Sequence, residues 1–330
     1  MRIEYNAQIP NTFHIPARAQ TFITYGREDV EALVSYLQTE GQGRRVLHVG
    51  AGSNLLFLND FDGVVLRSDV RELTTYGESV RVGAAWVMDD FIAWTLHHGL
   101  YGLENLSLIP GTVGAAAVQN IGAYGVEAAD CISEVETLEL STGTIRIWKP
   151  EELDYGYRKS MFKKPEVWGR HAVLSVTFRL SRAFTPKLEY GGLNRVFEGT
   201  MPTAGAVRDA VIRIRKEKLP DPDKQGNAGS FFMNPVVDGE KAAELIEKYP
   251  GMPHYVADGG IKIPAGWMIE QCGWKGRGIG AAGVHDRQAL VIVNKGGARG
   301  EDIVRLCDAV RKDVENTFGI VLHPEVNFIG

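Results

Sequence analysis

Apolar positions along the chain change period several times. In EDVEALVSYLQTEG (28–41), Val30, Leu33, Val34 and Leu37 recur at helical spacing, and Gly41 supplies a stop. The residues before it read as an opening coil. RRVLHVG (44–50) and FDGVVLR (61–67) read as strands joined through the turn GAGSN (50–54), so the first 67 residues are expected to form a small β-α-β unit. Short alternating strands then give way to a helix from Trp86 to His98, ended by Gly99. CISEVETLELSTGTIRIWKPEEL (131–153) sets two β-branched runs around a Ser-Thr-Gly turn and predicts a hairpin. HAVLSVTFRLS (171–181) alternates as a further strand. TAGAVRDAVIRIRKEKLPDPD (203–223) predicts an amphipathic helix stopped by Pro220. Beyond it, helices at 239–249 and 301–319 mix with strands at 289–294 and 325–330. The pattern is α+β, with segments 1–67, 68–200 and 201–330 and no internal repeat.

Composition narrows this picture. A chain of 330 residues, 44% hydrophobic and 23% charged, is an ordinary globular protein large enough to need no staples. Its net charge of −5 argues against a nucleic-acid partner, which calls for a basic excess, while a local pocket for a small phosphorylated ligand stays compatible. Cys131, Cys272 and Cys307 are sparse and form no CxxC, as expected of free thiols in a reducing compartment. With no leader-like apolar core near the N-terminus and no run approaching ~18 apolar residues, the expectation is a cytoplasmic protein without membrane insertion. Glycine is enriched, 38 of 330, and clusters at 99–125, 226–229 and 273–283. Such clusters suggest backbone that lies close to a ligand.

The richest stretch is GLENLSLIPGTVGAAAVQNIGAYGVE (102–127). Tiny residues let backbone N–H groups approach an anion or a flat ring, and Gln119, Asn120 and Tyr124 add polar tips. A tightly packed Gly/Ala core turn is the plainer alternative. In GAGSN, Gly50 and Gly52 follow a strand, with Ser53 and Asn54 where a phosphate would sit. A G-x-G-x-x-G occurs at Gly278, Gly280 and Gly283, but a helix precedes it and a strand follows, the reverse of the dinucleotide fingerprint. It is rejected.

GNAGSFFMNP (226–235) places Ser230 on a small-residue turn beside two phenylalanines, as a nucleophile, a hydrogen-bonder to a ligand, or part of a plain turn. Arg158, among Tyr155, Tyr157 and Phe162, suits a carboxylate or an enolate, or is an edge-strand arginine. Glu325, at a strand start among apolar residues, is either a proton-bearing acid with a raised pKa or a surface glutamate. Arg213, Arg215 and Lys216 read as a solvated helix face, whereas Lys218 sits on the last turn and can reach a cleft. His97 and His98 diverge, His285-Asp286 reads as structural, and nothing has metal-ligand spacing, so no metal is expected.

Seven blocks together resemble the UDP-N-acetylenolpyruvoylglucosamine reductase family: GAGSN, IPGTVGAAAVQNIGAYG (109–125), YRKSMFK (157–163), KLPDP (218–222), GNAGSFFMNP, PAGWMIEQ (264–271) and LHPEVNFIG (322–330). The resemblance implies a two-subdomain FAD-binding fold of the vanillyl-alcohol oxidase type (1–67 and 68–200) and a C-terminal α/β substrate-binding domain (201–330). It implies FAD lying along Gly50, Ala51, Gly52, Ser53 and Asn54, and along Ile109, Pro110, Gly111, Thr112, Gly114, Ala115, Gln119, Asn120, Gly122, Ala123, Tyr124 and Gly125. NADPH would reduce the flavin and leave, and UDP-N-acetylenolpyruvoylglucosamine would then take its place.

By the family pattern Ser230 donates a proton, and Arg158 and Glu325 stabilise the enediolate formed when hydride reaches the enolpyruvyl methylene carbon. Tyr190, Lys218, Asn234, Tyr255 and Gln288 align with residues that hold substrate, Lys218 and Asn234 suiting the diphosphate. Tyr255 and KGRGIGAAG match the type I branch. Met233 departs from the pattern, which places a lysine there. The expected product is UDP-N-acetylmuramate, made for cell-wall peptidoglycan by a monomer. A flavin oxidase of the same fold and a non-catalytic nucleotide-sugar binder are the alternatives. The first has no need of Arg158, Ser230 and Glu325 together, and the second would not be bleached by NADPH.

Overall fold

The computed structural model describes all 330 residues, and the chain divides into two compact units. Residues 1–9, 18–51 and 61–217 form the first; residues 10–17, 52–60 and 218–330 form the second.

The first unit contains two sheets. One has the strand order Arg2–Gln8, Arg18–Tyr25, Phe61–Ser68, Arg45–His48. The first two strands are antiparallel, and Phe61–Ser68 runs parallel to both of its neighbours. The expected opening coil is therefore this hairpin, paired from Arg2↔Thr24 to Gln8↔Arg18. Arg2–Gln8 is a mostly exposed edge strand, so it lacks the apolar alternation by which a half-buried strand is read. The β-α-β unit is present, but its first strand is Arg18–Tyr25, followed by the helix Val30–Gln38. That helix packs Leu33 and Val34 with Val64, Leu66, Leu138 and Leu174.

The second sheet has the order Ile145–Trp148, Ile132–Glu139, His171–Arg179, Ser79–Gly83, Leu73–Tyr76, all antiparallel. The predicted hairpin is here, in register from Val135↔Trp148 to Leu138↔Ile145. The helices Met88–His97 and Val113–Gln119 share a core with this sheet, with Phe91, Ile92, Val113, Ala116 and Ala117 beside Val80, Val82, Val135, Val176 and Phe178. The first of these helices starts two residues later than its spacing predicts, because Val87 is extended and bridges to Thr112. The helix Ala204–Lys218 buries Val207, Ala210, Val211 and Ile214 with Leu193, and Tyr124 packs against that cluster.

In the second unit, Asn227–Ser230, Val291–Asn294, Ala282–Val284 and Gly278–Ile279 form an antiparallel sheet in that order. The helix Gly300–Phe318 is amphipathic, burying Ile303, Leu306, Cys307, Val310 and Val314. GIGAAG is a hairpin, Gly278–Ile279 against Ala282–Val284, preceded by the helix Ala265–Gln271. Its context is the one inferred from sequence, and it is not a dinucleotide fingerprint.

The two short excursions of the chain into this unit are stitched in by backbone bonds. Asn227 N–H donates to the Thr12 carbonyl (2.9 Å), and the Thr12 hydroxyl donates to the Asn227 carbonyl (2.6 Å). Leu55–Phe57 pairs in parallel with the terminal strand Asn327–Ile329. Gly52, at φ +66°, lies so close to Pro10 that a Cβ would stand 2.2 Å from the Pro10 carbonyl oxygen. The three cysteines form no disulfide, and no helix is long and apolar enough to cross a membrane.

Candidate active site

In the first unit, the 109–125 segment runs through the short helix Val113–Gln119 and the turn after it. Backbone bonds anchor its start on one side. Met88 N–H donates to the Gly111 carbonyl (3.0 Å), Val113 N–H to Trp86 (2.9 Å) and Gly114 N–H to Ala84 (3.0 Å). The side chain of Thr112 caps the helix by accepting from the Ala115 N–H. Gly50 packs against this point: a Cβ there would stand 2.7 Å from the Thr112 hydroxyl oxygen. The GAGSN turn and the 109–125 segment therefore meet through Gly50 and Thr112, as two stretches reading one ligand require.

Past the helix, Asn120 is fully buried in a left-handed conformation (φ +44°). Its amide donates to Glu127 (2.7 Å) and to the Gly156 carbonyl (2.8 Å), and its oxygen accepts from Ala129 N–H (3.0 Å). Asn120 is thus a scaffold that joins this segment to the Arg158 turn. Tyr124 (φ +50°) is held by Asn105, whose amide donates to the carbonyls of Tyr124 and Lys187 (both 2.8 Å). Asn105 was not among the residues singled out from sequence.

Arg158 occupies a tight turn, not an edge strand. Gly156 and Lys159 exchange backbone hydrogen bonds (3.2 and 2.9 Å) around Tyr157 and Arg158. Arg158 is half-buried and left-handed (φ +54°), a conformation costly for a residue with a Cβ. Its guanidinium donates to the Gly122 carbonyl (2.9 Å), and Lys163 Nζ donates to the Arg158 carbonyl (2.8 Å). The structure therefore brings Arg158 to the expected flavin segment. Arg215 corrects the reading of its helix as a solvated face. Arg213 and Lys216 are exposed, but Arg215 is mostly buried and donates Nε to the Leu108 carbonyl (3.3 Å). Its place four residues after buried Val211 puts it beside the apolar stripe.

In the second unit, GNAGS is a strand instead of a turn. Asn227–Ser230 pairs with Val291–Asn294 through a register shift, and Gly229 at φ +69° absorbs the irregularity. Space is open where a Gly229 Cβ would be. The next residues pair with the C-terminal segment. Glu325 N–H donates to the Phe231 carbonyl (2.8 Å), Met233 N–H to His323 (2.9 Å), and Phe232 bridges to Pro324. Ser230 and Glu325, both half-buried, therefore sit on adjoining paired segments. Asn54 fixes the same place: its amide donates to the Glu325 carbonyl (3.2 Å) and its carbonyl accepts from Asn327 N–H (3.1 Å). Phe231 and Phe232 are core residues.

The residues expected to hold substrate are more dispersed. Asn234 Oδ1 accepts from Ala265 N–H (2.9 Å) at the start of the Ala265–Gln271 helix. Gln288 Oε1 accepts from Leu290 N–H (3.3 Å). Tyr255 is exposed on the edge strand of a three-stranded sheet, Lys218 is exposed at the end of its helix, and Tyr190 is exposed in the first unit.

The chain fits a flavin dinucleotide on its own features. The 109–125 segment is partly open along Gly111, Thr112, Ala115, Gln119, Gly122, Ala123 and Tyr124. Gln119 Oε1 is buried with no hydrogen-bond partner in the protein, which leaves an acceptor for a ligand N–H. The model of the FAD binding domain matches residues 24–148, across both sheets of the first unit. The model of the UDP-N-acetylenolpyruvoylglucosamine reductase C-terminal domain matches residues 221–329. The chain is 48% identical to the UDP-N-acetylenolpyruvoylglucosamine reductase of Bacteroides fragilis (strain YCH46), covering 100% of both chains.

The chain belongs to the UDP-N-acetylenolpyruvoylglucosamine reductase family.

Other members agree. The reductase of Porphyromonas gingivalis (strain ATCC 33277) is 46% identical, covering 100% of this chain and 99% of the relative. The crystal structure of UDP-N-acetylenolpyruvylglucosamine reductase from Thermus caldophilus superposes with a TM-score of 0.69 and 27% identity over 100% of both chains. As a family member the chain is an FAD-dependent oxidoreductase, and its α+β fold with an FAD-binding domain is the one expected from sequence.

Proposed function

We propose that this chain catalyses the NADPH-dependent reduction of UDP-N-acetylenolpyruvoylglucosamine to UDP-N-acetylmuramate for peptidoglycan synthesis. Bound FAD supplies hydride transfer, from NADPH to the methylene carbon of the enolpyruvyl ether. The protein supplies the rest. The Ser230 hydroxyl gives a proton to the carbon that bears the ether oxygen and carboxylate, completing addition of H⁻ and H⁺ across the double bond. Arg158 neutralises the charge that builds on the carboxylate as the enediolate forms, and Glu325 stabilises it beside Arg158 through hydrogen bonding. The observation that supports this reading is the pairing of the Phe231–Met233 and His323–Glu325 segments, which joins the stretch that carries Ser230 to the one that carries Glu325. The open space at Gly229 admits a substrate carbon beside Ser230.

The Gly50–Asn54 turn and the 109–125 segment are proposed to hold FAD, within subdomains 1–67 and 68–200. Residues 201–330 are proposed to hold the nucleotide sugar. Lys218 and Asn234 suit the diphosphate by charge and hydrogen-bond donation, and Tyr190, Tyr255 and Gln288 complete the substrate set. With Met233 where the family pattern has lysine, the diphosphate loses one cationic partner. The protein is proposed to work as a cytoplasmic monomer.

The test is spectroscopic. Under anaerobic conditions NADPH should bleach the flavin absorbance, and UDP-N-acetylenolpyruvoylglucosamine should then restore it with formation of UDP-N-acetylmuramate. A flavin bleached by NADPH but not reoxidised by this substrate would sink the proposed activity.

A further inference from the structure

Leu108 is the only aliphatic residue with a positive φ, +60°. It immediately precedes Ile109, Pro110, Gly111 and Thr112, the start of the flavin-binding segment. A left-handed leucine persists only where its surroundings over-determine it, and here both polar atoms of its backbone are held by side chains. Its N–H donates to Asp89 Oδ1 (2.6 Å) and its carbonyl accepts from Arg215 Nε (3.3 Å). Asp89 is itself fixed by a two-pronged pair with Arg208, Nη1 to Oδ1 at 2.6 Å and Nη2 to Oδ2 at 2.9 Å. Both side chains are largely buried, 23% and 16% exposed, so solvent competes weakly for the pair.

The chemistry of this cluster is that of a clamp. Asp89 stands at the second position of the Met88–His97 helix, whose Met88 N–H already binds the Gly111 carbonyl. Arg208 and Arg215 lie seven residues apart on the Ala204–Lys218 helix and so share one face. The rest of the loop is anchored by neutral backbone bonds at Gly111, Val113 and Gly114. At Leu108 a charged pair does the work. Burial disfavours the charged form of Asp89, but the Arg208 pair, the Leu108 N–H and the charges of Arg208 and Arg215 outweigh it and hold its carboxyl below the usual range. The clamp is therefore ionised at neutral pH.

We propose that Asp89 and Arg208 are positioning residues for the cofactor, holding Leu108 left-handed so that the 109–112 backbone is preformed for FAD. The inference rests on the FAD-binding reading of that segment. It predicts a specific rescue, because glycine adopts the left-handed conformation without the strain that leucine carries. The experiment titrates FAD into apoprotein and follows flavin fluorescence, for the wild type, Asp89→Ala, Leu108→Gly and the double variant, with thermal melting of each apoprotein alongside. Asp89→Ala should bind FAD about 10-fold more weakly, and with glycine at 108 the same change should cost less than about 3-fold. The melting loss from Asp89→Ala should persist in the double variant, which separates positioning from simple stabilisation.

Unchanged FAD affinity in Asp89→Ala, or an undiminished loss in the Leu108→Gly background, overturns the inference. If Asp89→Ala does not fold, Arg208→Gln breaks the pair more gently and is read by the same comparison. Wild-type apoprotein that binds no FAD would overturn the cofactor reading itself, a result distinct from equal binding by wild type and variant.

Discussion

At Ser230 the side chain has one carbon and one hydroxyl, and its removal is a small structural change with a large chemical one. Ser230→Ala should leave reduction of the flavin by NADPH near normal and slow its reoxidation by the enolpyruvyl substrate by roughly 10²–10⁴-fold, the usual worth of a positioned general acid. Stopped-flow absorbance separates the two half-reactions; equal losses in both would remove the proton-donor role. Glu325→Ala should show the same asymmetry, since it removes the group proposed to hydrogen-bond the enediolate, and an unchanged reoxidation would remove Glu325 from the mechanism. As candidates these residues stood out in short stretches of unusual chemistry, a serine after a glycine turn or an arginine among tyrosines, but each kept a plain alternative until the family resemblance gave it a role. Asp89, Asn105 and Arg215 did not stand out. Their partners are 19, 19 and 107 residues away along the chain, and nothing local distinguishes them from ordinary polar residues.

Among elements, amphipathic helices were read well, because a single buried stripe sets their pattern. Val207, Val211 and Ile214 in one helix and Ile303, Leu306, Val310 and Val314 in another are such stripes. Strands were read less well where burial did not follow the alternation. The Arg2–Gln8 edge strand has little buried face, and Asn227–Ser230 is made of residues that usually mark turns. Its strand character comes from its partner, Val291–Asn294, which is wholly buried. The GAGSN turn carries both a ligand-binding expectation and a packing constraint. A side chain at Gly52 would meet the Pro10 carbonyl and strain a φ of +66°. Gly52→Ala should therefore destabilise the protein by about 2 kcal/mol or more, even without cofactor. Urea unfolding of the apoprotein checks this, and an unchanged midpoint would show that the close approach relaxes freely.

Across the whole molecule, stability should depend on pH through buried and partly buried imidazoles. Burial pushes His48 from its usual 6.5 down to about 4, against a hydrogen bond with the Gly169 carbonyl that favours the charged form; burial also lowers His171 and His285. Between pH 6.5 and 4 the unfolded chain then binds more protons than the folded one, so stability falls as the pH falls through that window. For His48 alone the loss from pH 7 to 5 should be about 2 kcal/mol. Urea midpoints at the two pH values should differ less in His48→Gln than in the wild type. The α+β class was legible from the whole chain, but the excursions at 10–17 and 52–60 were not, since they read as loops and find their partners only in the C-terminal third. That arrangement has a consequence for how the protein is made. Leu55–Phe57 waits for Asn327–Ile329, and the Leu58 N–H for the Ile329 carbonyl. The first unit has all its residues once residue 217 has been translated, but the second lacks a strand until residue 329 has been. Closure of the second unit thus waits for the last of its strands, and a polypeptide that lacks residues 327–329 leaves the Leu55–Phe57 edge open.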